Sequence, residues 1–321
     1  MKLASVLTPL SEENLQLAAQ CGVTDIVSRY PTRGRAQLVE TKRLIESFGL
    51  RLSVVEGYLP IENIKVGADD GTELEAVKRL LRDMAELGIP LLCYNFMAGT
   101  DWVRTQLDAR ERGGAKTTAF RLRDVERARS LSPTAASISS APITAEALWS
   151  TLERFLNAVV PVAEQCGVTL AMHPDDPPLP VFLGKARIMN SVEGFEKLMT
   201  LVPSRANKLC FCQGTFSALD LDIPATIRRL GAHIAYVHFR DVRGTADDFI
   251  ETFHDNGPTD MAEAMRAYRD IGFTGCMRPD HVPQLVGEDD GEPGYTMKAR
   301  LFAYGYIRGL MHATARRPKG T

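Results

Sequence analysis

The chain has 321 residues, 45% of them hydrophobic and 24% charged, an ordinary globular composition with enough length for one large core. A formal net charge of −2 gives no basic footprint for nucleic acid, and the apolar runs are short and broken by charges, so no membrane span is expected. No signal-peptide pattern follows Met1-Lys2, and six cysteines at this length read as reduced thiols rather than a disulfide scaffold; a cytoplasmic protein is the expectation.

Leu3 to Leu7 reads as a short strand, and Ser11 can cap a helix running to Gly22. Asp25 to Ser28 is the next strand, followed by a helix from about Arg35 to Gly49 and a strand from Leu52 to Glu56. Thr72-Glu-Leu-Glu75 has the spacing of a capping box, with the stripe Val77, Leu80, Leu81, Met84 and Leu87 behind it. Pro90 to Phe96 is a fourth strand with Asn95 at its end. From about 99 to 142 the alternation pauses in a charged stretch holding Gly113-Gly114 and a Ser/Ala/Pro-rich piece from Ser130 to Pro142, which reads as a surface excursion rather than a domain boundary. Thr144 then caps a long helix to Gly167, bent at Pro161.

The strand Val168 to Met172 stops at His173, because Pro174, Pro177 and Pro178 cannot continue it. A helix from Ser191 to about Leu201 follows, then the strand Lys208 to Cys212, a helix from Pro224 to Gly231 and the strand Ile234 to His238. Asp260-Met-Ala-Glu263 caps a helix to Gly272; the last strand runs from Gly275 to about Asp280 and the last helix from Thr296 to about Ala315. Eight strand–helix units over residues 1–321 predict a single α/β domain, a (β/α)8 barrel first and an open doubly wound sheet second. No Gly-rich dinucleotide fingerprint or phosphate loop supports the open sheet.

Side chains along a strand alternate faces. Ala171 and His173 therefore share a face, as do Cys210 and Cys212, Tyr236, His238 and Arg240, and Cys276, Arg278 and Asp280. If these faces point into the barrel, its upper layer presents His173, Cys212, His238 and Asp280, a donor set suited to a divalent metal with positions left open. Each of these residues taken singly is more often structural, and Cys21, Cys93, Cys166, Cys210 and Cys276 read as small core residues.

The segments Leu92 to Met97 with Asp101-Trp102, His173-Pro-Asp-Asp-Pro-Pro178, Phe211-Cys-Gln-Gly214, Val237-His-Phe-Arg240, Arg278-Pro-Asp-His281 and Pro293-Gly-Tyr295 resemble, in order, the D-mannonate dehydratase family of xylose-isomerase-like barrels. The resemblance implies a Mn2+-dependent lyase that removes water from D-mannonate to give 2-keto-3-deoxy-D-gluconate, with ligands at His173, Cys212, His238 and Asp280 and site residues at His281 and Tyr295. By softness alone the donors also suit Fe2+, Co2+ or Zn2+. His281 and Tyr295 are the acid/base candidates; His281 must lie on the loop, since parity would turn it outward. Arg240 or Arg278 would neutralise the substrate carboxylate, against the alternative of ion pairs within the barrel. Asn95, Asp175 and His254 are the substrate-binding candidates, although Asp175 and Asp176 also suit turn capping.

The sequence departs from the family pattern at Leu7-Thr-Pro9, in Phe211-Cys-Gln-Gly-Thr-Phe-Ser217, in His254-Asp-Asn-Gly-Pro-Thr-Asp-Met261, at Val282 and in the length of the excursion. These departures keep three other readings open: a dehydratase, epimerase or isomerase for a different sugar acid or polyol, a metal-dependent hydrolase or nuclease, and a sugar-acid-binding protein without turnover. The expected partner is a small-molecule sugar acid, and the oligomeric state stays open, a homo-oligomer included.

Overall fold

In a computed structural model, which describes residues 1–131 and 141–315, the first eight long alternations close into a parallel barrel. Its strands are β1 (Lys2–Val6), β2 (Asp25–Ser28), β3 (Arg51–Glu56), β4 (Leu91–Tyr94), β5 (Thr169–Met172), β6 (Asn207–Cys212), β7 (Ile234–Phe239) and β8 (Cys276–Pro279). Each strand pairs in parallel with its neighbours in sequence, and β8 closes on β1 through Lys2 opposite Cys276. The helices α1 (Glu12–Gln20), α2 (Arg35–Ser47), α3 (Thr72–Glu86), α4 (Ala145–Cys166), α5 (Val192–Leu201), α6 (Ile223–Leu230), α7 (Met261–Asp270) and α8 (Met297–Ala313) follow strands one to eight in turn.

Strand parity sorts the side chains into two cores. Val6, Val27, Val54, Cys93, Ala171, Cys210, Tyr236 and Cys276 fill the barrel interior. The alternate residues, among them Ile26, Val55, Leu92, Leu170, Phe211, Val237 and Met277, face the helices and pack with Leu15, Leu80, Phe155 and Phe195. The sequence-derived faces of β5 to β8 are therefore the observed ones.

The helix starts follow local chemistry. Ser11, Thr144, Ser191, Asp222 and Asp260 each accept a main-chain amide of the first turn, and Gly167 ends α4 at φ +63°. The start of α3 differs from expectation. Thr72 caps nothing: Asp70 and Asp69 accept the Thr72 and Glu73 amides, and Glu75, the acid of the box, accepts from Lys78 instead. Two competing aspartates immediately upstream displace the capping box.

The excursion also differs from a simple surface decoration. Gln106–Arg110 and Lys116–Arg121 join Val242–Thr245 and Asp248–Glu251, which follow β7, in one four-stranded antiparallel sheet. Val103–Arg104 pairs with Arg129–Ser130. Trp102, Arg104 and Phe120 are buried beneath this layer. The segment thus caps the mouth at the carboxyl ends of the strands; the Ser/Ala/Pro-rich part at 132–140 lies outside the described residues.

Candidate active site

A cavity of about 520 Å³, counted out to its open mouth, sits at the carboxyl ends of the strands. Arg29, Glu56, Tyr58, Asn95, Asp101, Trp102, His173, Asp176, His238, Asp280, His281 and Tyr295 line it. Register explains the convergence. Cys212 lies opposite His238 across β6 and β7, and His238 lies opposite Arg278 across β7 and β8. Cys212 and His238 therefore reach the mouth at one height, and Asp280 stands two residues beyond Arg278.

His173, Cys212 and His238 each place a ligand atom within 4.8 Å of the others. His173 Nε2 is 3.2 Å from His238 Nδ1, and Asp280 Oδ2 is 3.7 Å from that Nδ1 and 3.8 Å from Cys212 Sγ. Cys212 itself is fully buried just below the cavity wall. Each imidazole uses its outer nitrogen elsewhere: His173 Nδ1 meets the Pro174 carbonyl at 2.7 Å, and His238 Nε2 meets Glu56 Oε2 at 3.2 Å. Outward donation to oxygen fixes the ring and presents the inner lone pair, as at metal sites. Two inward lone pairs 3.2 Å apart need a positive charge between them.

The electrostatics agree. Burial alone would lower the His173 value, but the adjacent Cys212 sulfur pushes it up to about 10. Burial would raise the Cys212 thiol, yet Arg240 and His173 hold it well below its ordinary range. The cluster stabilises a proton where a cation would sit, and the donors fit a divalent metal. A second set, Cys93, Cys210 and His238, is also within 4.8 Å. Burial pushes the Cys210 thiol well up, so Cys210 keeps its proton and is a weaker donor than Cys212.

His281 lies past the end of β8 and reaches the cavity from the loop. Its Nδ1 is 2.7 Å from Glu251 Oε1, and its ring stacks on Trp102 with centroids 4.7 Å apart. Tyr295 meets both rings edge-on, 5.4 Å from His281 and 5.3 Å from Trp102. Burial pushes the Tyr295 phenol up against the opposing pull of Arg29. Asn95 is on the wall, donating to Asp101 at 2.9 Å while its carbonyl accepts from Lys65 and the Met97 amide.

The other assignments from sequence fall elsewhere. Arg240 and Arg278 do not reach the cavity wall. Arg240 donates to Asp280 at 2.7 Å and Asp176 at 3.3 Å; Arg278 binds Glu56 at 2.5 Å, the Tyr236 hydroxyl at 2.8 Å and Asp280 at 2.8 Å. The ion-pair alternative accounts for both. Asp175 turns from the cavity to accept the Met189 amide at 2.7 Å, and its neighbour Asp176 lines the wall instead. His254 is buried behind Asp280, with its ring bonded to the Phe239 main chain and its value lowered to about 4 by burial and then by Arg300.

Sequence reasoning missed Arg29, Glu56, Asp176 and Glu251. Arg29 and Glu56 follow the inward-facing Val27 and Val54 by two residues, so parity applied to β2 and β3 would have found them. Glu251 had no such signal. It comes from the added sheet, accepts from Arg104 at 2.5 Å and from His281, and Arg104 in turn clamps Asp176 with two 2.9 Å bonds.

A family model described as D-mannonate dehydratase (UxuA) matches residues 11–320. This chain belongs to the D-mannonate dehydratase family. It is 35% identical over 294 residues to the mannonate dehydratase of Oceanobacillus iheyensis, covering 84% of this chain and 83% of that one. It is 33% identical over 310 residues to the mannonate dehydratase of Thermotoga maritima, covering 86% and 85%. The crystal structure of mannonate dehydratase from Streptococcus suis serotype 2 superposes with a TM-score of 0.86 at 29% identity, covering 98% of this chain and 95% of that one. A D-psicose 3-epimerase structure at 14% identity and a TM-score of 0.62 shares the barrel fold.

Proposed function

We infer that this chain is a metal-dependent hydro-lyase that converts D-mannonate to a 2-keto-3-deoxy acid and water. The observation that carries this reading is the convergence of four ligand-type side chains, His173, Cys212, His238 and Asp280, beside the His281–Tyr295 pair at one barrel mouth. A divalent cation held by those four, manganese before iron, cobalt or zinc, would supply the Lewis acidity that a proton next to a carboxylate needs before it can leave.

The protein's own groups divide the proton work. Glu251 accepts the hydrogen bond of His281 Nδ1–H, so Nε2 is the nitrogen free to accept a proton from the carbon next to the carboxylate. Tyr295 keeps its proton at neutral pH because burial raises its value, which makes it the donor to the departing hydroxyl. Loss of that hydroxyl as water leaves an enol, whose tautomer is the 2-keto acid. Trp102 covers the pair and limits water at the reacting carbon.

Six free cysteines suit a reducing compartment, and we place the enzyme in the cytoplasm. No helix among the described residues is long and apolar enough to cross a membrane. The test is to load the protein with Mn2+, supply D-mannonate and assay for a 2-keto-3-deoxy acid, with His173→Ala as control. Product that vanishes in the control is the expected result. A folded, metal-loaded protein that makes none rejects this substrate and moves the search to other sugar acids.

A further inference from the structure

Arg240 and Arg278 are spent on carboxylates behind the wall, so the charge of an acid substrate needs another partner. One guanidinium does reach the cavity. Arg29 stands two residues beyond the inward-facing Val27 at the end of β2, with 27% of its side chain exposed. Its guanidinium carbon lies 4.9 Å from the Tyr58 ring centroid and 5.0 Å from that of Tyr295. Contact with two aromatic rings holds a guanidinium in place without using its in-plane donors.

Those donors are almost unclaimed. Among the described residues, the one hydrogen bond of the Arg29 guanidinium runs from Nη1 to Glu56 Oε1 at 3.4 Å. It is the longest contact Glu56 makes: that carboxylate is already bound at 2.5 Å by Arg278 and at 2.7 Å by Tyr236. The backbone also bends to build this feature. Gly57 and Tyr58 follow Glu56 with φ of +72° and +57°, and a left-handed tyrosine is an uncommon conformation that needs support from its surroundings. What it achieves is a ring laid against Arg29.

We propose that Arg29 is the carboxylate-binding residue of this cavity, taking the acid group in parallel charge-assisted hydrogen bonds and so setting the preference for a sugar acid over the matching neutral compound. This rests on the sugar-acid reading of the site. It adds the residue that recognises the charge, and assigns it to a position the sequence analysis passed over.

The experiment compares D-mannonate with D-mannonamide, which keeps every hydroxyl and loses the charge. Binding of both to the Mn2+-loaded protein is measured by calorimetry for the wild type, Arg29→Gln and Arg29→Lys, with KM and kcat for D-mannonate. Wild-type turnover is measured first and tests the function by itself; the acid-over-amide ratio needs no turnover and tests Arg29. Arg29→Gln is expected to raise Kd and KM for the acid by about 10- to 100-fold, with a smaller fall in kcat and the amide nearly unaffected. Arg29→Lys retains the charge without the two-pronged edge and falls between. Circular dichroism and metal content check that each variant is folded and loaded. Equal weakening of acid and amide would make Arg29 a spacer for Tyr58 and Tyr295 and overturn the proposal. So would unchanged affinity in Arg29→Gln, or a wild-type protein that binds the acid no better than the amide.

Discussion

His254 is 1% exposed, and its value falls from 6.5 to about 4, first through burial and then through the nearby Arg300. Among the described residues its Nε2 has no hydrogen-bond partner. The folded protein therefore keeps this ring neutral through a range where the unfolded chain protonates it. A lowered folded value means that no penalty exists above the unfolded value of about 6.5, and that stability is lost as pH falls from there toward 4. A difference of about 2.5 units corresponds to roughly 3 kcal/mol, of which roughly 2 kcal/mol is gone by pH 5. For a chain of 321 residues, roughly 2 kcal/mol is a shift of about 3 °C in Tm. Thermal unfolding of the wild type and His254→Gln, followed by circular dichroism from pH 7.5 to 4.5 with a chelator in both, isolates this effect. The glutamine variant will start at a lower Tm but lose less on acidification, so the curves converge. Parallel curves over that range would show that His254 is not the buried neutral group described, and the reasoning would fail.

Cys212→Ser removes the one sulfur donor and should weaken metal binding by at least about tenfold, read as metal content after dialysis, while the chelated protein stays folded. Glu251→Gln takes the orienting carboxylate from His281 and a counter-charge from Arg104 and Arg240; a fall in kcat of about 100-fold and a loss of roughly 3 kcal/mol by urea unfolding are expected. Unchanged kcat in that variant would remove Glu251 from the site's chemistry. Trp102→Ala uncovers His281 and Tyr295 and should reduce kcat with little change in metal content, whereas Trp102→Phe, which can still stack, should retain most of the activity.

Much of this protein was determined by local rules that a sequence carries. The barrel was legible because each strand–helix unit repeats the same two periods, and because caps such as Ser11, Thr144 and Asp260 and the stop at Gly167 act over a few residues. Period-two alternation brought Ala171, Cys210, Tyr236 and Cys276 inward and so raised His173, Cys212, His238 and Asp280 to the mouth. The same alternation from Val27 and Val54 leads to Arg29 and Glu56. Past a strand end the rule lapses, and Asp175 could not be told from Asp176, since prolines rather than pleating set the path there.

Only the tertiary structure decided which charges meet. Whether Arg240 and Arg278 face a ligand or a carboxylate depends on Glu56, Asp176 and Asp280, carried by the end of β3, the loop after β5 and the end of β8. That Glu251 orients His281 depends on an antiparallel sheet pairing Phe249 with Phe120, contacts more than a hundred residues apart in the chain. The partner of a buried charge is chosen by the closure of the barrel and by the layer that caps it. No local propensity encodes that choice, because the cost of an unpaired charge arises only once water has been excluded.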